Sequence, residues 1–139
     1  MTAQHIDTEK LASMAQTARS KAVAPYSHYQ VGAALLTTSG NIYTAGNIES
    51  SSYGLTMCAE RVALFSALAN GVREFAGIAI ATDNGASPCG ACRQLLWEYL
   101  GDVPIILTDT ESNITTFPLS DLLPEPFDGT KLSPESPME

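Results

Sequence analysis

Residues 75–108 read FAGIAIATDNGASPCGACRQLLWEYLGDVPIILT. The two ends of this stretch, Phe75 to Ala81 and Val103 to Thr108, are short apolar runs typical of central strands that are covered on both faces. Between them, Pro88 to Leu100 predicts a helix, with Ser87 as its N-cap and Pro88 in its first turn. We therefore predict a strand-helix-strand crossover, which indicates an α/β fold.

The sequence before this crossover predicts a helix and a hairpin. Apolar residues recur with helical spacing from Asp7, the expected N-cap, to about Val23. Tyr29 to Thr37 and Ile42 to Ala45 predict two strands that are joined by a turn at Ser39-Gly40-Asn41. The hairpin supplies two more strands to the sheet.

Three further segments complete the predicted domain. Cys58 to Ala69 is apolar almost all round, so we expect a buried helix there. Ile114 to Phe117 predicts an edge strand, and Ser120 to Leu123 predicts at most one helical turn. Helices on both faces of one sheet make an α/β layered fold. We expect one domain over residues 1–127 and a loosely ordered tail over residues 128–139.

The composition narrows the classes of function. The chain has 139 residues, 45% of them hydrophobic, which suits a single globular domain. The net charge is -8 and the few basic residues are scattered, so a nucleic-acid ligand is not expected. No apolar stretch is long enough for a secretory signal or a membrane span. We expect a soluble, cytoplasmic protein.

Cys89-Gly90-Ala91-Cys92 places two thiols on one face of the first turn of a predicted helix, close enough for one metal ion. This spacing alone also occurs in redox-active pairs and in four-cysteine structural zinc sites. A redox pair usually follows the first strand of its fold, and neither His5 nor His28 has the spacing of a fourth ligand. A redox pair and a structural zinc site therefore both fit poorly.

Cys58 offers a third ligand, and it too begins a predicted helix, so the positive ends of two helix dipoles would favour thiolates at one point. Three protein ligands leave one tetrahedral position for water, as in catalytic zinc sites. Glu60, two residues further on, is the candidate acid/base. It can face the same cavity as Cys58 only if Cys58 lies at the irregular start of the helix.

Arg61 is the candidate modulator of the metal. Three thiolates give a divalent ion a net charge of -1, which weakens its Lewis acidity. We hypothesise that the Arg61 guanidinium hydrogen-bonds to ligand thiolates and restores the Lewis acidity of the ion. The alternative is an arginine paired with a surface carboxylate.

Cys58-Ala59-Glu60-Arg61 followed by Pro88-Cys89-Gly90-Ala91-Cys92-Arg93-Gln94 resembles the zinc deaminase signature in its three-cysteine form. From about Leu11 to Phe127 the chain resembles the small, homotetrameric cytidine deaminases. Further matching segments are Pro25-Tyr26-Ser27, Val31-Gly32-Ala33-Ala34, Gly46-Asn47-Ile48-Glu49 and Leu122-Leu123-Pro124. The resemblance implies a three-layer α/β/α sandwich with one mixed, about five-stranded sheet, one Zn²⁺ per subunit and a homotetramer with shared active sites.

The resemblance also implies a set of substrate-binding residues: Asn47, Glu49, Tyr29, Ala59, Tyr53 and Phe127. Asn47 and Glu49 would hydrogen-bond the ribose hydroxyls, unless they are simply a turn-forming Asn and an exposed Glu. Tyr29 lies where the family commonly has a Phe in the pyrimidine pocket. Phe127 matches an aromatic residue that reaches a neighbouring subunit's site, and Tyr53 lies in a loop near a subunit boundary. Each of these three aromatic residues could instead serve only in packing.

The implied reaction is the deamination of cytidine and deoxycytidine to uridine and deoxyuridine, in pyrimidine salvage. Glu60 would take a proton from zinc-bound water, and the resulting hydroxide would attack C4 of cytosine. A nucleic-acid-editing deaminase shares the motif but needs a cationic groove. Two alternatives stay open: deamination of a related compound, such as a nucleoside antibiotic, and the less well fitting non-enzymatic role as a structural zinc or thiol-redox module.

Overall fold

The computed structural model describes residues 5–132. The helices are α1 (Thr8–Ala18), α2 (Ala59–Ala69), α3 (Gly90–Leu100) and α4 (Leu119–Leu122). The strands are β1 (Gly32–Thr37), β2 (Ile42–Gly46), β3 (Phe75–Ala81), β4 (Pro104–Thr108) and β5 (Ile114–Pro118). Short 3-10 turns lie at Arg19–Lys21, Tyr53–Leu55 and Gly129–Lys131.

The five strands form one sheet in the order β2-β1-β3-β4-β5. β3 and β4 are parallel and are joined through α3, whereas the remaining neighbours are antiparallel. The predicted crossover, hairpin and edge strand are therefore confirmed, and the sheet is mixed. Within residues 5–132, every helix is too short or too polar to span a lipid bilayer.

Alternate strand residues face opposite sides of the sheet, as the pleat of a strand requires. On one side, α2 and α3 pack with buried residues that include Leu35, Ile78, Ile80 and Ile105. On the opposite side, α1 packs with residues that include Ala34, Leu36, Ala79 and Ile106. The molecule is thus a three-layer α/β/α sandwich, as the resemblance implied.

Two glycines let the end of α1 and the chain that follows it pass close to the sheet. Gly32 and Gly46 are paired between β1 and β2. A Cβ atom on Gly46 would lie 2.4 Å from the amide nitrogen of Ala22, a separation that real structures do not tolerate. Because Gly46 lacks this atom, Val23 can donate its amide proton to the Asn47 carbonyl at 2.8 Å. This contact carries the following loop, residues 24–31, to one end of the sheet.

Two predicted boundaries were wrong, and for β1 the reason is a tertiary contact. α1 ends at Ala18, before the predicted limit at Val23, and passes into a 3-10 turn. β1 begins at Gly32 and not at Tyr29. The Asn47 side-chain amide accepts the Val31 amide proton and donates to the Tyr29 carbonyl, both at 2.9 Å, so these backbone groups are engaged by a side chain.

Two predictions about α2 and α3 also need correction. α3 begins at Gly90, with extended Cys89 as its N-cap, so the predicted cap at Ser87 and first-turn position of Pro88 are wrong. The Ser87 hydroxyl instead accepts a hydrogen bond from Arg93 at 2.7 Å. α2 is not buried all round, since Phe65 is 39% exposed. The sheet covers only one side of this helix.

The first part of the predicted tail, residues 128–132, lies within the described residues and includes a 3-10 turn. The Asp128 carboxylate accepts the amide proton of Thr130 at 3.0 Å and caps the 3-10 turn Gly129–Lys131. Residues 133–139 of that tail lie outside the described residues.

Candidate active site

The three cysteines, distant in sequence, lie together in the fold. The Sγ atoms of Cys58, Cys89 and Cys92 are all within 4.8 Å of one another, with Cys58 to Cys89 at 3.9 Å and Cys89 to Cys92 at 3.5 Å. Cys58 is the N-cap of α2 and Cys89 is the N-cap of α3. Two helix N-termini therefore meet at the cluster, and their dipoles favour negative charge there.

The thiols of the cluster differ in how readily they ionise. A hydrogen bond with Cys92, aided by the Arg61 guanidinium, lowers the pKa of Cys58 to about 5. The same hydrogen bond, together with burial and the nearby Glu60, raises the pKa of Cys92. Of these two thiols, Cys58 is therefore the one whose surroundings favour the thiolate.

The donor set fits zinc. Three sulfur ligands converge on one point, and thiolates are ligands that zinc prefers. Among residues 5–132, the cluster includes no histidine or carboxylate as a fourth ligand. Three protein ligands are the number used by catalytic zinc sites, which keep one position for water or substrate.

Glu60 lies beside the cluster in the first turn of α2 and is only 4% exposed. Cys58 has extended backbone angles, with φ -66° and ψ 150°, and stands outside the regular helix. The two side chains can therefore face the same cavity, which a regular helix would prevent. Burial, and secondarily the Cys58 charge, raises the pKa of Glu60. Burial of this kind favours the protonated form of the carboxyl group over the charged form.

Arg61 contacts the cluster directly. Its Nη2 atom lies 3.5 Å from the Cys58 Sγ, and this hydrogen bond raises the pKa of Arg61. Its Nε is buried and has no hydrogen-bond partner in the described part of the chain. The guanidinium therefore faces a ligand sulfur, the arrangement required by the hypothesis that it offsets thiolate charge.

A cavity of about 310 Å³ opens beside the cysteine cluster. It brings together most of the residues predicted for the site: Tyr29, Asn47, Glu49, Cys58, Ala59, Glu60 and Cys89. Pockets of this size accommodate small ligands and are usually apolar with a few polar groups. The cavity thus combines a metal-binding cluster, a buried carboxyl group and a polar end at Asn47 and Glu49.

Two predicted substrate residues lie outside this cavity. Tyr53 is 74% exposed and lines an adjoining cavity that shares Glu49. Phe127 is 54% exposed, and its carbonyl oxygen accepts a hydrogen bond from Gln94 on α3. Neither side chain is among those that line the cavity beside the cysteine cluster.

Asn47 and Glu49 organise the loop that forms one wall of the cavity. Asn47 is 8% exposed and binds the backbone of Tyr29 and Val31. The Glu49 carboxylate accepts the amide protons of Tyr26 and Ser27, at 3.0 and 3.1 Å, and the Ser27 hydroxyl proton. The Ser27 hydroxyl contributes most to the lowered pKa of Glu49.

Sequence reasoning missed two polar residues of this region. Ser27 lines the cavity and binds Glu49, and its only signal was its place in the Pro25-Tyr26-Ser27 segment. Asn84 binds Tyr29 across 55 positions of sequence. No local pattern reports a contact of that kind.

Comparison with known proteins agrees with the geometry. Residues 5–106 match the family of the cytidine and deoxycytidylate deaminase zinc-binding region. A cytidine deaminase of Sporosarcina psychrophila is 44% identical over 92% of this chain and 96% of its own length. A cytidine deaminase of Halalkalibacterium halodurans is 43% identical over 88% of this chain and 95% of its own length.

The three-dimensional comparison gives the same answer. The crystal structure of a cytidine deaminase from Burkholderia pseudomallei superposes with a TM-score of 0.85 at 43% identity, covering 88% of this chain and 100% of that one. Fold, cysteine cluster and sequence similarity therefore agree, and this chain belongs to the zinc-binding cytidine and deoxycytidylate deaminase family.

Proposed function

We propose that this protein catalyses the hydrolytic deamination of cytidine and deoxycytidine, giving uridine or deoxyuridine and ammonia. The observation that carries the proposal is the clustering of three cysteine sulfurs beside a cavity that is lined by Cys58, Cys89 and the buried Glu60. Cys58, Cys89 and Cys92 would hold one Zn²⁺. When bound, this ion supplies a Lewis acid that makes water sufficiently acidic for attack near neutral pH.

Glu60 is the proposed proton carrier. Water adds its oxygen to C4 of the cytosine ring, one of its protons passes to Glu60, and Glu60 delivers a proton to N3. The second proton of that oxygen then passes through the same carboxyl group to the exocyclic amine. The C4–N bond breaks, ammonia leaves, and C4 becomes a carbonyl. A buried carboxyl group with a raised pKa suits both the taking and the giving of protons.

Asn47 and Glu49 are the proposed ribose ligands. Each already binds the loop backbone, but an amide has two N–H bonds and a carboxylate has about four acceptor positions, so both keep capacity for a sugar hydroxyl. The acidic Glu49 disfavours a nearby phosphate. A free nucleoside, and not a nucleotide, is therefore the proposed substrate, with Tyr29 and Ala59 beside the base.

We also propose a homotetramer in the cytoplasm, with active sites shared between subunits. Tyr53 and Phe127 are exposed and do not line the cavity beside the cysteine cluster of the same chain. Phe65 is an exposed aromatic residue on α2. Such aromatic residues are common at protein interfaces. A monomer by light scattering at working concentration would contradict the assembly.

The direct test is ammonia release from cytidine by the purified protein, before and after removal of metal with a chelator. We expect turnover that is lost on chelation and restored by Zn²⁺. Deoxycytidine, free cytosine and a cytosine-containing nucleoside antibiotic complete the substrate series. Bound zinc without ammonia release from cytidine would contradict the proposal and would favour a structural zinc module or the deaminase of a related compound.

A further inference from the structure

Tyr29, which lines the cavity, is hydrogen-bonded to Asn84, which does not line it. The Tyr29 hydroxyl donates to the Asn84 Oδ1 atom at 2.9 Å. Tyr29 lies in the loop before β1, and Asn84 lies in the loop between β3 and α3. This hydrogen bond therefore joins two loops, each of which contributes residues to the lining of the cavity.

Asn84 is the fixed end of this bridge. Its backbone is paired with Asp109 at the end of β4. Its Oδ1 atom also accepts the Thr82 hydroxyl proton at 3.3 Å, and Thr82 is only 3% exposed. Asn84 is thus attached to the sheet through both its backbone and its side chain.

Tyr29, at the other end of the hydrogen bond, lies in a loop whose backbone conformation depends on its surroundings. It follows His28, which has a φ of 58°, a left-handed conformation that few residues other than glycine adopt. Such backbone persists when its surroundings determine it strongly. The loop is held on its inner side by Asn47 and Glu49, through the backbone of residues 26, 27, 29 and 31. The Tyr29 hydroxyl is held only by Asn84 among the described contacts.

From this arrangement we propose that Asn84 is a positioning residue for the deaminase, and that it acts by holding the Tyr29 ring against the bound pyrimidine. The inference rests on the proposed function, because it concerns the affinity of the same cavity for its nucleoside. Asn84 is not itself among the residues that line the cavity. Its effect must pass through Tyr29, which does line it.

The role of the bridge predicts a particular kinetic effect. A loosened Tyr29 ring weakens binding of the ground state and of the transition state alike, because both contain the pyrimidine. Such a loss raises KM and leaves kcat nearly unchanged. Removal of one neutral hydrogen bond corresponds to about a threefold to tenfold increase in KM.

The test compares Tyr29→Phe, Asn84→Ala and the double variant with the wild-type enzyme, using cytidine turnover and zinc content. We expect each single change to raise KM for cytidine about threefold to tenfold, with kcat changed less than about twofold and zinc retained. The double variant should be no worse than either single variant, because both remove the same bond. Asn84→Asp keeps an acceptor for the hydroxyl and should restore a near-wild-type KM.

Tyr43→Phe on β2 removes a tyrosine hydroxyl outside the cavity and is the matched control, with no expected change. An unchanged KM in Asn84→Ala would overturn the inference, as would additive effects in the double variant. A fall in kcat, or a loss of zinc, would also overturn it by showing that the contact serves the chemistry or the metal ligands. Wild-type turnover of cytidine in the same assay separates these outcomes from failure of the proposed function.

Discussion

The Nη2 atom of Arg61 lies 3.5 Å from the Sγ atom of Cys58. Cys58 is one of the three clustered cysteines and the N-cap of α2. A cation at this distance withdraws electron density from a ligand thiolate and so opposes the charge that three thiolates place on a metal. We expect Arg61→Gln to lower zinc affinity or kcat by about 10- to 100-fold, the range found for residues that support metal ligands.

Arg61→Lys keeps the charge but not the planar fork, and we expect it to recover part of the loss. Arg73→Gln is the control, because Arg73 is exposed and binds only the carbonyls of Leu68 and Val72 in the described structure. Zinc competition with a coloured chelator gives the affinity. An Arg61→Gln enzyme with wild-type zinc affinity and kcat would refute the role.

Cys92 is completely buried and belongs to both the hydrophobic core and the cysteine cluster. Zinc that binds only the folded chain should stabilise the wild-type protein, so a chelator should lower its melting temperature. In Cys92→Ala we expect loss of bound zinc and a melting temperature that no longer responds to the chelator. Ala91→Ser, an exposed neighbour on the same helical turn, should keep both properties. A Cys92→Ala protein with one zinc per chain would contradict the ligand assignment.

Glu49 should govern recognition of the sugar. We expect the wild-type enzyme to have a higher kcat/KM for cytidine than for 2′,3′-dideoxycytidine. We expect Glu49→Gln to lower kcat/KM for cytidine by about 10- to 100-fold, the range for hydrogen bonds to charged groups. The loss for dideoxycytidine should be much smaller, because that substrate lacks the hydroxyls. Equal losses for the two substrates would show that Glu49 acts only through the loop at Tyr26 and Ser27.

Substitution of Gly46 tests the close packing between β2 and the chain that leads into the loop of residues 24–31. A Cβ atom there would meet backbone atoms of Lys21 and Ala22, which cannot move aside as a flexible side chain can. We expect Gly46→Ala to lower the free energy of unfolding by about 1–3 kcal/mol, the cost of overpacking, as measured in urea. Gly54→Ala, where a Cβ atom meets nothing within 4 Å, is the control and should be nearly neutral. Equal stability of the two variants would contradict this account.

The parts of the fold that depend on local pattern were predictable from sequence. β3 runs from Phe75 to Ala81 as predicted, since a continuous apolar run between turn signals defines a central strand. The start of β1 was not predictable, because the Asn47 side chain, 16 positions away, binds the Val31 amide. The start of α3 was also predicted incorrectly, since its N-cap is the extended Cys89 and not Ser87.

The residues of the site also divide into those that the local sequence predicts and those that only the tertiary structure reveals. That Cys58, Cys89, Cys92 and Glu60 lie close together was predictable, because the chemistry proposed for them requires particular residue types at particular spacings. Asn84 was not, since its role comes from a contact between loops that are far apart in sequence. The exposure of Phe65 also escaped prediction, because the apolar surface of α2 does not reveal which side the sheet will cover.

The most direct test of the account is the zinc content and the cytidine turnover of Glu60→Gln, measured on the same preparation. Glutamine keeps the size of the buried side chain but cannot carry a proton between water and substrate. We expect one zinc per chain, as in the wild type, and a kcat lower by about 10²- to 10⁴-fold, the usual contribution of general acid-base catalysis. A zinc-loaded Glu60→Gln enzyme with wild-type kcat would contradict the assignment of Glu60 as the proton carrier.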